Sequence, residues 1–364
     1  MDTSDPNISF YQGGVCNHCN DYESVHKKEI YNGTEGESKL RESLDAIKNA
    51  GKGKEYDCVL GLSGGVDSTY VAYLARQYGL RPLVVHLDNG WNSELAVNNI
   101  KQVIKKLKFD YMAIVIDWEE FRDIQLAYLK ASVIDIEAIT DHAIIAALHK
   151  VAAENKVKYI VSGSNLVTEA ILPSAWIHNK MDGTNVKAIH KEYGTKPLKT
   201  YPIMDVVKHQ YYQRVLKITT IPILDYIPYI KEEVKQLITD KLKWRDYGGK
   251  HYESIFTRFY QGYILPTKFG VDKRRAHLST LICSEQITRE EALEELKAPI
   301  YNLEQLAMDK EFVLKKFGFT EQEFKEIMDL PVRRHRDFAT ASTIYDQHPI
   351  LKIFKPLRQL LKGR

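Results

Sequence analysis

Short apolar runs alternate with amphipathic segments through the first half of the chain. Four apolar runs predict strands, over 57–62, 82–88, 111–117 and 157–162. The segments between them repeat apolar residues at helical spacing and predict helices, over 94–107, 119–130 and 141–154. Strands that alternate with helices are typical of right-handed βαβ units. The pattern therefore predicts an α/β fold with a doubly wound parallel sheet.

The flanking segments have other patterns. A charged stretch over 37–50 predicts a helix, whereas the lysine-rich, glycine-containing stretch over 179–199 predicts an exposed loop or flap. Beyond that stretch the chain is mostly helical in pattern. We therefore expect a cysteine-bearing leader over 1–50, a sheet domain over 51–220 and a mostly helical region over 221–364.

Composition narrows the class of protein. A net charge of +3 over 364 residues gives no overall field for nucleic acid, so no nucleic-acid partner is expected. Four cysteines are too few for a disulfide framework, and the polar N-terminal residues do not resemble a secretion signal, which predicts a cytoplasmic protein. No apolar run approaches the ~20 residues that cross a bilayer, so membrane insertion is not expected.

The turn after the first predicted strand carries the clearest chemical signal. It consists of Ser63, Gly64, Gly65, Val66, Asp67 and Ser68. Two glycines let the backbone approach an oxyanion, which the amides and dipole of the following helix would bind. Ser63 and Ser68 add hydroxyl donors, and the Asp67 carboxylate suits Mg²⁺. The turn lacks the Lys-Ser/Thr ending of the Walker loop and resembles the signature of the ATP pyrophosphatases, which adenylate a substrate oxygen and release pyrophosphate.

Polar residues follow the other predicted strands. They are the run His-Leu-Asp-Asn-Gly-Trp over 86–91, Asp117 with Trp118, and Ser-Gly-Ser-Asn over 162–165. Any one of these residues fits ordinary loop chemistry. Because the carboxyl ends of parallel strands share one edge, where ligands bind, their convergence predicts a ligand site at that edge.

A second signal lies near the start of the last third of the chain. Aromatic residues and cations are interleaved over 244–254 and followed by Lys273, Arg274 and Arg275. The expected substrate contacts are Arg245, Tyr247, Lys250, His251 and Tyr252. Guanidinium and ammonium groups bind phosphate, which favours a phosphorylated or nucleotide-linked substrate. There are two alternatives for this segment. It could bind RNA through base stacking and phosphate contacts, or it could be a solvated basic face with no ligand.

Several of these segments together resemble one family. They are 1–6 (Met-Asp-Thr-Ser-Asp-Pro), 14–19 (Gly-Val-Cys-Asn-His-Cys), 63–68, 86–91, 244–254 and 272–277. In combination they resemble the bacterial N-acetyl sugar amidotransferases of the Wbp and pseudaminic acid type, within the PP-loop ATP pyrophosphatase superfamily with its adenine nucleotide alpha hydrolase-like fold. The resemblance extends to about Leu296. It implies that ATP and ammonia convert an acetamido group of a nucleotide-linked sugar to an acetamidino group, for lipopolysaccharide O-antigen or flagellin glycans.

The resemblance also implies roles for individual residues. Leu87 would lie near the adenine, and Gly163 would join the ATP-binding residues of domain 51–220. Glu169 would act as an acid–base or magnesium residue, although an ordinary helix-start carboxylate fits equally. Lys273 and Arg274 would stabilise charge on the leaving pyrophosphate, within a substrate and pyrophosphate segment over 244–277.

The cysteines bear on metal binding and on the ammonia source. Members of the family carry another Cys-x-x-Cys before the stretch that is 1–6 here, which with Cys16 and Cys19 would form a zinc site. In this sequence His18, His26 or a distant cysteine would have to complete it, and thiol or sulfur-transfer chemistry is the alternative.

No cysteine of the chain lies in a Gly-x-Cys-x-Gly elbow, so we expect a separate glutaminase subunit or free ammonia as the nitrogen source. The PP-loop turn is not confined to sugar amidotransferases. A tRNA-thiolating or lysidine-forming enzyme shares it and remains the nearest alternative function, and a non-catalytic ATP sensor is a further one.

Overall fold

A parallel sheet lies at the centre of the computed structural model, which describes residues 1–249 and 252–342. Its five strands are β1 Cys58–Gly61, β2 Pro82–Asp88, β3 Asp110–Val115, β4 Tyr159–Ser162 and β5 Thr219–Pro222. They lie in the order β3-β2-β1-β4-β5, and every neighbouring pair is parallel. The strand order reverses at β1, which pairs with β2 on one side and β4 on the other. The predicted doubly wound α/β fold is thereby confirmed.

Helices cover both faces of the sheet and form most of the C-terminal region. They are α1 Asn17–Ser24, α2 Gly33–Ala50, α3 Val66–Gln77, α4 Glu94–Leu107, α5 Trp118–Ala131, α6 Ala138–Glu154, α7 Leu166–Glu169, α8 Gly183–Tyr193, α9 Val206–Gln210, α10 Lys231–Leu242, α11 Ile255–Phe259, α12 Leu265–Phe269, α13 Arg274–Cys283, α14 Arg289–Glu295, α15 Leu303–Phe317 and α16 Glu321–Asp329.

Local signals account for the predicted helices. The Ser93 side chain accepts a hydrogen bond from the amide of Ala96 at the start of α4, and Asp117 accepts one from Glu120 at the start of α5. Helix α4 has the predicted bounds, and α2, α5 and α6 begin within four residues of theirs.

Strand β5 was not predicted, because its sequence Thr-Thr-Ile-Pro is short and its proline fits only the end or edge of a sheet.

The prediction of an exposed loop over 179–199 is wrong. Helix α8 occupies the middle of that stretch and packs against α5. The Asp182 carboxylate accepts a hydrogen bond from the amide of Asn185 (3.0 Å) and so caps the helix. Val186 and Ile189, three residues apart, are buried in the core. This short apolar stripe lies among lysines and glycines, whose abundance obscured it.

The C-terminal region is joined to the edge of the sheet where the sequence predicts a ligand site. The largest core cluster combines Trp91 and Phe121 with Phe256 and Phe317. Backbone bonds also connect the segment after β2 to the C-terminal region: Ser93 N to the Glu253 carbonyl (2.8 Å), and the Ile255 amide to the carbonyl of Trp91 (2.9 Å). Residues on both sides of position 220 thus share a core, and the predicted domain boundaries stay a prediction.

A helix needs about 20 mostly apolar residues to cross a bilayer. None of the helices found within 1–249 and 252–342 has that combination of length and apolarity.

Candidate functional site

The glycine-rich turn connects β1 to α3 where the strand order reverses. Gly64 has a φ of +88°, a left-handed conformation that favours glycine. The turn is closed by its own serines: Ser63 Oγ lies 3.1 Å from Ser68 Oγ and accepts from the Gly65 amide at 3.1 Å. The first amides of α3, a helix of 12 residues, begin directly after Gly65. The predicted cradle therefore has the geometry of an anion site at a helix N-terminus.

Close packing explains the glycines around this cradle. A Cβ on Gly64 would lie 3.0 Å from the Ala96 carbonyl oxygen of α4. A Cβ on Gly163, directly after β4, would lie 3.0 Å from the backbone nitrogen of Ser68. A Cβ on Gly65 would lie 3.1 Å from both Ser63 Oγ and Tyr247 Oη. Each of the predicted ATP-binding residues Gly64, Gly65 and Gly163 is thus closely packed, and a larger side chain at any of them would displace a different neighbour of the cradle. Their role in binding ATP stays a prediction.

Two predicted carboxylates converge on a tyrosine that the sequence did not indicate. The buried Tyr229 hydroxyl donates a hydrogen bond to Asp67 Oδ1. Burial raises the pKa of Tyr229 far above its ordinary value, and the charges of Asp67 and Glu169 raise it further. Asp67 and Glu169 therefore face the same hydroxyl, although they follow different strands. Two carboxylates beside a phosphate cradle form an oxygen donor set that suits Mg²⁺.

Glu169 also lies near the buried carboxyl group of Asp225. Asp225 accepts a hydrogen bond from the Leu166 amide at the start of α7 (2.8 Å). Burial raises the pKa of Asp225 to about 6, and the charge of Glu169 adds to the rise. Asp225 lies three residues after β5, so the unpredicted strand supplies part of this site.

The end of β2 is tied to the end of β1. The Nδ1 atom of His86 lies 2.8 Å from the Leu62 carbonyl, and its Nε2 lies 3.0 Å from the Asn92 side-chain nitrogen. Burial lowers the pKa of His86, which favours a neutral ring that donates to the carbonyl and accepts from Asn92.

Leu87, the predicted adenine contact, is partly buried and packs against the large core cluster. It stands at the ligand edge, opposite Ile114 of β3.

The segment over 244–249 lies directly against the cradle. Trp244, fully buried, donates from Nε1 to the Gly64 carbonyl (2.8 Å). Asn99 of α4 exchanges two hydrogen bonds with the backbone of Arg245, at 2.8 and 3.0 Å, while the Arg245 residue itself is exposed. Tyr247 is thereby held beside Gly65. Burial raises the pKa of Tyr247, and the charges of Glu253 and Asp67 raise it further, so the hydroxyl stays protonated.

The other predicted substrate residues lie in different surroundings. Lys250 and His251 fall outside the described residues. Tyr252 lines a cavity of ≈ 430 Å³, which Tyr247, Arg258 and Tyr301 also line. The predicted substrate segment is thus divided between the cradle and this cavity.

The two predicted charge-stabilising residues have partners of their own. The Arg274 guanidinium donates to Asp272 Oδ2 (2.8 Å) and to the Ala298 carbonyl (3.0 Å). Lys273 lies near two buried carboxyl groups, Asp135 and Glu137. The pKa of Asp135 is lowered mainly by Lys180 with a smaller contribution from Lys273, and at Glu137 the charge of Lys273 opposes the rise in pKa that burial causes. Their roles toward pyrophosphate stay predictions.

The predicted zinc site finds no support. Cys16 Sγ and Cys19 Sγ lie 3.5 Å apart, and a hydrogen bond from Cys283 is the main reason that the pKa of Cys19 is lowered. The predicted ligand candidate His18 instead contacts Asp5 at 2.7 Å. In the part of the chain that the structure describes, no three His, Cys, Asp or Glu side chains are grouped as a metal site.

Two family models match the chain. The model "NAD synthase" matches residues 40–222, and the model "LPS biosynthesis protein WbpG-like, C-terminal domain" matches residues 253–352. No curated protein matches it.

Similar solved structures include an NH3-dependent NAD synthetase from Campylobacter jejuni, with 15% identity, a TM-score of 0.31 and coverage of 82% of this chain and 99% of that one. They also include an NMN synthetase from Francisella tularensis, with 14% identity, a TM-score of 0.31 and coverage of 63% and 93%.

Proposed function

The chain belongs to the Wbp-type family within the PP-loop ATP pyrophosphatase superfamily, and we propose that it is an ATP-dependent N-acetyl sugar amidotransferase. The matches to an NAD synthase model and a WbpG-like model support an ATP-utilising synthetase-type enzyme of lipopolysaccharide biosynthesis. One observation carries the finer proposal. Tyr247, from the segment that precedes the WbpG-like region, lies beside Gly65 of the cradle. This contact supports the proposal, because it would bring acceptor recognition next to phosphate binding.

The proposed reaction has two steps. In the first, the acetamido oxygen attacks the α-phosphorus of ATP; an oxygen–phosphorus bond forms, the bond to the β,γ-phosphates breaks, and pyrophosphate leaves. In the second, ammonia attacks the imidate carbon, the carbon–oxygen bond breaks, and AMP departs with the acetamido oxygen. The nitrogen keeps two of its three protons and the third is released to solvent, so the product is an amidinium cation. Adenylation is needed because an amide oxygen is a poor leaving group.

The residues around the cradle suit the first step. The amides at the start of α3 and the hydroxyls of Ser63 and Ser68 would bind the pyrophosphate portion of ATP. The protonated hydroxyl of Tyr247 lies beside the cradle and can donate to an oxygen that gains negative charge. Trp244 and Asn99 hold this segment in place before substrate binds.

Magnesium fits the same site. Asp67 and Glu169, which both face Tyr229, are the residues that would hold it. Bound Mg²⁺ would neutralise negative charge on the phosphates. Tyr229 would orient the Asp67 carboxylate through its hydrogen bond.

The ammonia source is part of the proposal. Cys58 is buried, and burial raises the pKa of its thiol, which opposes nucleophilic use. We propose that a separate glutaminase subunit supplies ammonia. The purified chain should then use ammonium salts and should leave glutamine unhydrolysed, as measured by glutamate release. Glutamate formation by the chain alone would contradict this.

A labelling experiment tests the reaction itself. The chain is incubated with ATP, Mg²⁺, ammonium chloride and a panel of nucleotide-linked acetamido sugars that carry heavy oxygen in the acetamido carbonyl. Mass spectrometry should find the label in AMP, and a sugar that has lost oxygen and gained nitrogen. Label in inorganic phosphate would indicate attack at the γ-phosphorus and refute the proposal.

Label retained in every sugar would refute amidine formation. Co-purified tRNA, bound with a steep salt dependence, would in that case favour the tRNA-modifying alternative.

A further inference from the structure

We propose that the cavity beside Tyr247 binds the sugar ring of the acceptor, an inference that rests on the proposed function. The cavity measures ≈ 430 Å³ and lies between the segment after Trp244 and the start of α15. Ligand cavities of roughly 300–1,000 Å³ hold small molecules, so one sugar ring fits. Tyr247 lines the cavity and also has its hydroxyl beside Gly65 of the cradle. A ring in the cavity can therefore present a substituent to the phosphate site.

The lining of the cavity is aromatic. Tyr247, Tyr252 and Tyr301 contribute rings, and the Tyr252 hydroxyl donates to the Ile300 carbonyl at 3.4 Å. The apolar C–H face of a sugar ring packs against such rings, while amide groups bind its hydroxyls. Asn302 and Gln305 place side-chain amides on the same lining. This is the chemistry of a polyhydroxylated ring.

The charges of the described lining residues disfavour a phosphate as the main ligand of the cavity. Among the described lining residues Arg258 is the one cation, and its guanidinium makes a bidentate pair with Asp309, with Nε–Oδ2 at 2.6 Å and Nη2–Oδ1 at 2.8 Å. Asp309 also accepts hydrogen bonds from Tyr301 and Gln305. The positive charge is thus neutralised inside the wall. A neutral sugar ring is compatible with this lining, to which the exposed Glu304 adds a carboxylate. A diphosphate would meet that negative charge and, among the described lining residues, no cation that is not already paired.

The same network makes the site rigid. Asp309 is buried and joins Arg258 of α11 to Tyr301 just before α15. The Arg258 guanidinium carbon lies 5.7 Å from the centre of the Tyr252 ring, so this ring packs against a fixed group. The cavity is therefore formed before a ligand arrives, which reduces the entropy lost on binding.

The test separates sugar binding from turnover. Free N-acetylglucosamine is the probe, and its contact with the protein is measured by saturation-transfer NMR without ATP. Met308, an exposed residue on the rim of the cavity, is changed to Trp to fill it, and Tyr252→Ala removes an aromatic wall. Tyr11→Ala, at an exposed tyrosine of the leader, is the matched control. ATP binding is measured in parallel by calorimetry.

We expect Met308→Trp and Tyr252→Ala to weaken sugar binding, and to raise the KM of the nucleotide-linked acceptor, by about tenfold. The affinity for ATP and all properties of Tyr11→Ala should be unchanged. Because Met308 is exposed, its variant should fold even if Tyr252→Ala does not. Unchanged sugar binding in Met308→Trp, or no binding by the unmodified protein, would overturn the cavity assignment. Tyr252-dependent sugar binding without AMP formation from any acceptor would refute the proposed function and leave the sugar site standing.

Discussion

Tyr229 shows how one side chain can organise two others at the ligand edge. Its hydroxyl donates to Asp67, and the charges of Asp67 and Glu169 both act on it. A carboxylate held by a hydrogen bond keeps one orientation, which a metal or phosphate site requires. We therefore expect Tyr229 to act by positioning Asp67.

The first prediction separates these two residues. Asp67→Ala should abolish ATP-dependent turnover and keep the overall fold, because Asp67 is only partly buried in the first turn of α3. Loss of its bond to the buried Tyr229 hydroxyl should lower the free energy of unfolding by about 1–3 kcal/mol. Tyr229→Phe should keep the buried ring and lower kcat about tenfold, since a hydrogen bond to a charged group contributes about 1.5 kcal/mol. Initial rates of AMP release measure both. Tyr70→Phe, at the ring next to Tyr229, is the control and should behave like the unmodified protein.

A Tyr229→Phe variant with an unchanged kcat and an unchanged dependence on Mg²⁺ concentration would contradict the positioning role. Normal AMP release by Asp67→Ala would contradict the assignment of Asp67 to the magnesium site.

Whole elements meet at the cradle, where β4 ends against the start of α3. Gly163 makes that approach possible, because a Cβ there would meet the rigid backbone of Ser68 at 3.0 Å. Gly61, at the end of β1, would place a Cβ 3.2 Å from a terminal methyl carbon of Leu148, a side chain that can move. The two glycines thus differ in what surrounds them.

The second prediction uses this difference. Gly163→Ala should push β4 away from α3, lower the free energy of unfolding by about 1–3 kcal/mol and weaken ATP binding. Gly61→Ala should have smaller effects on both. Urea unfolding and calorimetric titration with ATP provide the measurements. Equal ATP affinity in the two variants would show that β4 does not shape the cradle.

Helix α4 supports the cradle from the other side through Asn99. The third prediction is that Asn99→Ala, which removes two buried hydrogen bonds to the backbone of Arg245, lowers the free energy of unfolding by about 2 kcal/mol. It should also weaken ATP binding, because Tyr247 is no longer held at Gly65. Asn98→Ala, one residue earlier on the same helix, is the control. Unfolding curves and ATP titrations that coincide for the two variants would refute this.

At the scale of the whole molecule, a buried carboxyl group lies where the sheet and the C-terminal region meet. Glu137, directly before α6, accepts a hydrogen bond from the Thr257 hydroxyl of α11 (2.7 Å). Its pKa is raised to about 7, mainly by burial and also by the charge of Asp141, against the opposing effects of Thr257, Lys180 and Lys273. The folded protein therefore binds the Glu137 proton more tightly than the unfolded chain, whose carboxyl has a pKa near 4.5.

The fourth prediction follows from this difference. The stabilisation by the neutral carboxyl is complete below about pH 4.5 and is lost as the pH rises through about 7. Glu137→Gln cannot titrate, so its stability relative to the unmodified protein should increase from pH 5 to pH 7 and then level off, by at most about 3 kcal/mol. Urea unfolding at a series of pH values measures this. Glu154→Gln, at the exposed end of α6, should show no such trend. A stability difference between Glu137→Gln and the unmodified protein that does not change with pH would contradict the raised pKa.

The sequence by itself determined the parallel sheet, the cradle and the family. Strand and helix periodicity are local properties, and so is the turn over 63–68, whose two glycines and serines predict an anion site before any contact is known. The α/β fold was predicted for this reason and is confirmed. Local pattern failed at α8 and β5, where a short apolar stripe and a short edge strand gain their stability from the neighbours they pack against.

Only the tertiary structure decided which distant side chains share the site. Tyr229 lies 162 residues from Asp67, and Trp244 lies 180 residues from Gly64, yet each donates a hydrogen bond there. The cavity likewise requires Tyr252 and Tyr301 to meet, which depends on the packing of α11 against α15. No local signal specifies such meetings, because the free energy that stabilises them comes from burying surfaces that are far apart in the chain.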